Sequence, residues 1–287
     1  MLRYPNWCRS FADESREVWS DMSDALRLGI SRQEETTTEN LLLSLARKHD
    51  GRGLKIQTFT RSEEASNGAD WAFWFASKSR LGIELRVQAK RLFSHSGRYE
   101  SLFHQSPSQQ KAAKARGGET PNQCEALISN RGNAIPVYVF YNSNALSLTA
   151  GQVALAACSP LSVFVDEAVW GISVASAFAV RSADWGKKDR PHDFLNVPWH
   201  LLLCSCYWPD RSIDASLPAL IGNGLRHLFG DHAFDDERDI NFEPHENQPD
   251  WVGLLREREA ARETLTDFMR EANLKGVAVF SERPIDE

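Results

Sequence analysis

The chain has no apolar run near the ~20 residues that a bilayer-spanning helix needs, so no membrane span is expected. Its start, Met1-Leu2-Arg3-Tyr4-Pro5, lacks the apolar stretch and small-residue cleavage site of a secretory signal. Cysteines are few and odd in number (Cys8, Cys124, Cys158, Cys204 and Cys206), at irregular spacings. That pattern fits reduced thiols in a cytosolic protein better than a disulfide framework. Cys204 and Cys206 adjoin the apolar Leu201-Leu202-Leu203, and no second ligand pair at zinc-finger spacing follows, so core cysteines are expected over a zinc site. There is no Gly-rich phosphate loop, internal repeat or long low-complexity tract. His192, His200, His227, His232 and His245 are scattered and form no metal or nucleophile pattern.

What remains is an ordinary globular composition, 42% apolar and 25% charged, with length enough for a large core. The net charge of −6 is unevenly spread. Residues 231–287 carry 16 acidic and 7 basic side chains, whereas residues 78–116 carry nine Lys/Arg against only Glu84 and Glu100. The basic stretch reads either as a solvated face or as a surface for a phosphate backbone.

Residues 11–28 have apolar positions at helical spacing, and Gly29 ends that helix. A second helix is expected over about Thr36–Lys48, with Leu41, Leu42, Leu45 and Ala46 as its buried stripe. Leu54–Thr60 reads as a strand. In Asp70–Ala76 both parities are apolar, which predicts a strand buried on two faces, its aromatic residues in the core rather than a base-stacking platform. From Leu81 to Lys90 the pattern alternates: Ile83, Leu85, Val87 and Ala89 face one way, Glu84, Arg86, Gln88 and Lys90 the other. Helices are expected near Pro107–Ala115 and Pro121–Ser129, and a strand over Pro136–Tyr141. Beyond lie helix-like apolar segments at Val174–Val180, Val197–Tyr207 and Trp251–Ala272, an acidic loop at 231–250, and a strand candidate at Val277–Phe280.

If the hairpin turns at residues 79–80, antiparallel partners have numbers summing to about 158–160. An even sum places Asp70 on the same face as Gln88 and Lys90, since directly opposed residues share a side. A carboxylate, an amide oxygen and an ammonium would then meet at one end of a sheet. A hard divalent cation takes such oxygen ligands, and a lysine beside it would serve a water nucleophile or the charge developing on phosphorus.

Gly68-Ala69-Asp70 and Gln88-Ala89-Lys90, with Glu39 on the preceding helix, resemble the signature of the PD-(D/E)xK nuclease superfamily. Glu39-Asn40-Leu41-Leu42, Gly68-Ala69-Asp70-Trp71 and Val87-Gln88-Ala89-Lys90 are more narrowly similar to a bacterial branch near the Mrr-type restriction nucleases. The resemblance covers about residues 31–142. It implies an α/β fold with a three-layer α-β-β-β-α-β core, a mixed sheet flanked by helices. The expected organisation is an N-terminal helix in 1–30, the core in 31–145 and a C-terminal α+β extension in 146–287, packed on the core.

The resemblance further implies a cytoplasmic, Mg²⁺- or Mn²⁺-dependent endonuclease acting on DNA, with a role in restriction or antiviral defence. Asp70, Gln88 and Glu39 would be the metal ligands. Lys90 would orient or activate water. Arg86, Arg91, Arg98, Lys111, Lys114, Arg116 and Gln123 would face nucleic acid. Gln88 stands where most relatives have a carboxylate. A homodimer, or a protein partner in a defence complex, is compatible with the same reading.

Each residue has a plainer role. Asp70 also suits a turn, and Lys90 with Arg91 suits a guarded strand edge. Thr36-Thr37-Thr38-Glu39 matches a capping box. A second Gln-x-Lys, Gln109-Gln110-Lys111, shows that the tripeptide alone says little. The rival function is a nucleic-acid-binding or protein-interaction module on the same fold, without turnover.

Overall fold

The computed structural model describes residues 6–49, 51–58, 70–79, 81–99, 102–103, 122–155, 166–183, 196–204, 216–229, 240–257, 261–272 and 274–282. Helix α1 (Trp7–Leu28) starts at Asn6, whose side chain accepts the Arg9 N–H at 3.0 Å. It stops at Gly29, which takes the left-handed conformation (φ 69°) that favours glycine. Trp7, Phe11, Val18 and Met22 form its buried stripe.

Helix α2 (Glu34–His49) begins two residues before the expected start. Thr36 therefore lies inside the helix and the capping box does not form. Thr37 and Thr38 instead turn their hydroxyls back onto the Gln33 and Glu34 carbonyls, at 3.0 and 2.8 Å.

The strands are β1 (Leu54–Thr58), β2 (Trp71–Ala76), β3 (Gly82–Phe93), β4 (Arg98–Tyr99), β5 (Ile135–Tyr141), β6 (Ile172–Ser176), β7 (Val197–Pro198) and β8 (Gly276–Ser281). They form one open sheet in the order β1-β8-β2-β3-β5-β6-β7, with β4 attached to β3. The β2·β8 and β3·β5 pairs are parallel and the others antiparallel, so the sheet is mixed. One face packs on α1 and the 3₁₀ turn Trp199–Leu203: the Phe11 ring lies 4.8 Å from Trp199 and 5.6 Å from Phe280, and Phe73 lies 5.9 Å from Trp199. On the other, Trp74 meets His245 at 5.5 Å and Trp251 reaches Glu84. The architecture is thus α/β, an open mixed sheet flanked by helices. Among the described residues no helix is long and apolar enough to cross a membrane.

Several expectations change. The boundary at residue 145 does not divide the sheet: β6 and β7 extend it, and the last strand, β8, sits between β1 and β2. Val174–Val180 is not one helix but the end of β6 followed by helix α5 (Ala177–Ser182), after α3 (Gln123–Ser129) and α4 (Ala150–Leu155). A short apolar run has no period that separates strand from helix. The switch is set by Ser176, whose hydroxyl caps the Phe178 and Ala179 N–H groups at 3.1 and 3.3 Å.

Val197–Tyr207 yields β7 and the 3₁₀ turn in its described part. After α6 (Leu217–Phe229), Trp251–Ala272 divides into α7 (Asp250–Arg256) and α8 (Arg262–Glu271). The described part of the acidic loop, 240–250, is anchored by a two-way bridge between His245 and Gly82 (2.9 and 3.0 Å). Cys8 and Cys124 are free thiols, but buried Cys204 is disulfide-bonded, contrary to the expectation of reduced cysteines throughout. The helix expected over Pro107–Ala115 lies outside the described residues.

The α1 contact with the 3₁₀ turn Glu167–Gly171 depends on a missing side chain. A Cβ on Gly171 would overlap the Ser15 carbonyl oxygen and stand 2.7 Å from the Trp19 amide nitrogen, both backbone atoms of α1. Gly171→Ala should therefore push α1 off the sheet and cost about 2–3 kcal/mol, in the range of core overpacking. The urea midpoint reads this out, and an unchanged midpoint would show that the contact is not tight.

Candidate active site

The β2–β3 register runs from Trp71↔Val87 to Ala76↔Gly82, at the lower end of the expected range. The paired register ends at Trp71↔Val87; the Asp70 N–H also donates to the Val87 carbonyl at 2.8 Å, and it is the Asp70 side chain that reaches Gln88 and the Ala89 N–H. The alternating strand β3 is covered on both faces, so its polar row is internal: Glu84, Gln88 and Lys90 are all buried. Glu84 accepts from Trp251 Nε1 at 3.3 Å and lies 3.3 Å from Arg86 Nε, and burial pushes its carboxyl above the usual range despite the Arg86 charge.

At the end of this row Asp70 is buried and fully engaged. Its Oδ2 accepts the Ala89 N–H at 3.0 Å and a short hydrogen bond from Gln88 Nε2. Its Oδ1 lies 2.7 Å from Lys275 Nζ. Gln88 Nε2 also reaches the Ala89 carbonyl at 3.2 Å, while Gln88 Oε1 is buried without a hydrogen-bond partner. A buried, unpaired amide oxygen beside a carboxylate asks for a donor or a cation.

Lys90 Nζ donates to Gln123 Oε1 at 2.7 Å and lies 3.9 Å from Glu34 Oε1. Gln123 opens α3, whose start is fixed by the Asn122 side chain accepting the Glu125 N–H at 3.0 Å. Burial pushes the Lys90 ammonium below the ordinary lysine value, against the pull of Glu34 and Asp70. Burial likewise raises Glu34, partly offset by Lys90.

Asp70, Gln88, Lys90 and Gln123 are thus brought together. Glu39 is not: it sits on the exposed side of α2, and the acid of that helix that lies near Lys90 is Glu34. Five residues advance a helix by about 500°, so Glu39 points about 140° away from Glu34. The signal was present, because Glu34, Thr38, Leu41 and Leu45 share one helical stripe. Lys275 had no such signal. It precedes β8, whose parallel register with β2 (Trp71↔Gly276) puts it beside Asp70, with Glu35 Oε1 at 3.2 Å.

The basic residues are less uniform. Arg86 is turned inward toward Glu84, and Arg91 is 3.7 Å from Glu34 with its guanidinium 4.1 Å above the Phe93 ring. Arg98 lies on β4. Lys111, Lys114 and Arg116 fall outside the described residues.

The oxygens of Asp70, Glu34 and Gln88 suit a hard divalent ion such as Mg²⁺, which binds through few carboxylates and keeps several waters. Among the described residues no group of three His, Cys, Asp or Glu side chains forms a ready metal cage. In comparisons with known proteins, the profile of one family, described as a family of unknown function (DUF6615), matches residues 7–286. The comparison with curated proteins gives no match, nor does that with solved structures.

Proposed function

We propose that this chain, which belongs to the DUF6615 family, is a metal-dependent nuclease of PD-(D/E)xK type that hydrolyses phosphodiester bonds in DNA. The observation that carries this reading is the buried Gln88 Oε1, left without a partner beside Asp70 on the face that also holds Lys90. Asp70, Gln88 and Glu34 would hold Mg²⁺ or Mn²⁺. Bound there, the ion would supply charge neutralisation at the scissile phosphate and a more acidic water. Asp70 is aimed by the Ala89 N–H and Gln88 amide. Lys90, held by Gln123 in a water-poor setting, would orient the attacking water and offset charge developing on phosphorus. A role in defence against foreign DNA extends the same resemblance.

The test is incubation of plasmid and single-stranded DNA with wild type and Asp70→Asn, in Mg²⁺, Mn²⁺ or chelator. Wild type should cleave only with metal, and Asp70→Asn should lose about 10²–10³-fold in rate. Cleavage that survives chelator, or is equal in the variant, would sink the assignment. The neutral amide at Gln88 and the lysine on Asp70 favour a second reading, a binding module without turnover. Under it no protein would cleave, and DNA would bind without metal and with strong salt dependence.

The helix correction is tested in the same assay. Glu34→Gln should lower cleavage by about 10–100-fold, as loss of a supporting metal-site group does. Glu39→Gln should leave it unchanged, and the reverse ranking would restore Glu39 to the site.

A further inference from the structure

Asp70 presents its two oxygens unequally. Oδ2 takes two donors, the Ala89 N–H and the Gln88 amide, which fills its acceptor capacity. Oδ1 is the oxygen left for an incoming cation, and Lys275 Nζ already lies 2.7 Å from it. The same ammonium reaches Glu35 Oε1 at 3.2 Å, so one positive charge bridges two carboxylates from different elements. A divalent ion joins acidic oxygens in the same way.

The two lysines of the site differ in freedom. The Lys90 side chain is 6% exposed and enclosed, whereas that of Lys275 is 37% exposed and has water to retreat into. The Lys275 backbone is fixed: its N–H donates to the Asp70 carbonyl at 2.8 Å. The next residue, Gly276, lies under the Trp71 ring so closely that a Cβ would collide with it. Only the side chain of Lys275 can leave.

We propose that Lys275 is a resident counter-cation of this site, and that a divalent ion must displace its ammonium from Asp70 Oδ1 to bind. This rests on the reading of Asp70 and Gln88 as metal ligands. In its resting form the ammonium offsets one of the two negative charges of Asp70 and Glu35 and holds the two acidic groups together. In its displaced form it would stand at the rim of the site, near incoming phosphate. An ammonium and a dication cannot share Oδ1 without strong repulsion at a separation of a few ångströms.

The experiment is Mn²⁺ binding to the full chain without nucleic acid, followed by electron paramagnetic resonance of free Mn²⁺. Wild type is compared with Lys275→Met, Lys275→Gln and Lys275→Arg. Removing the charge should tighten Mn²⁺ binding by about tenfold or more, and Lys275→Arg should give no tightening. Lys275→Gln keeps a hydrogen-bond donor for Asp70, so it guards against a fold defect in Lys275→Met. The rise in unfolding midpoint on adding Mn²⁺ should likewise be larger in the neutral variants than in wild type. Mn²⁺ binding that is equal or weaker in both neutral variants would overturn the counter-cation and leave the metal site standing. No Mn²⁺ binding by any of the four proteins would overturn the metal site and this inference together.

Discussion

Replacing Lys90 with methionine is expected to cut metal-dependent cleavage by about 10²–10⁴-fold, the range for loss of a group acting on the proton or charge of the transition state. Stability should change by no more than about 1 kcal/mol, because opposing terms nearly cancel. Lys90 is buried at the end of an apolar sheet, and burial already lowers its pKa, which means that the fold carries its charge at a cost. Methionine keeps the length of the side chain and removes that cost. Against this, Gln123 Oε1 loses its donor, and Glu34 loses one of its two cationic neighbours but keeps Arg91 at 3.7 Å. Initial rates on plasmid and a urea midpoint, measured on the same preparation, check both halves. A variant that cleaves like wild type would remove Lys90 from the mechanism. A large loss of stability would make it a structural cation instead.

The second large effect is on acid stability. His200 lies fully buried in the 3₁₀ turn under α1, and burial, aided by the Arg16 charge, lowers its pKa to about 4 from 6.5. The unfolded chain therefore takes up a proton between those two values and the folded protein does not. The stabilising preference for the neutral ring is fully present above pH 6.5. It is lost as pH falls toward about 4, below which no further loss comes from this group.

The pKa difference corresponds to about 3 kcal/mol. His200→Gln should remove that dependence. Glu34 and Glu84 have raised pKa values and act with the opposite sign, since each gains stability as pH falls through its folded value toward 4.5. The comparison with the variant isolates His200 from both. Urea midpoints at pH 7 and pH 4.5 give the result, and parallel pH slopes for wild type and variant would refute it.

Local order was largely readable along the chain. The stop of α1 at Gly29 follows from a glycine free to adopt positive φ. The two-sided burial of β2 follows from an apolar run without alternation. The turn position confined the hairpin register to a narrow range, and the observed sum of 158 with the Asp70 side chain on Gln88 and the Ala89 N–H fixed it.

The rest came from contacts that no local pattern encodes. Glu34 lies on the expected stripe of α2, but only its 3.9 Å approach to Lys90 shows which acid of that helix faces the site. The polar row of β3 alternates as a solvated face would, yet Trp251 of α7 reaches Glu84 and His245 packs on the neighbouring Trp74, and Glu84 is buried. Lys275 stands more than two hundred residues from Asp70. Only the insertion of β8 between β1 and β2, in parallel register with β2, brings its ammonium to the carboxylate. The sequence by itself determined the hairpin and which polar side chains it carries. Tertiary structure decided which charges surround it, because a parallel strand pair is specified by sheet burial and not by a turn.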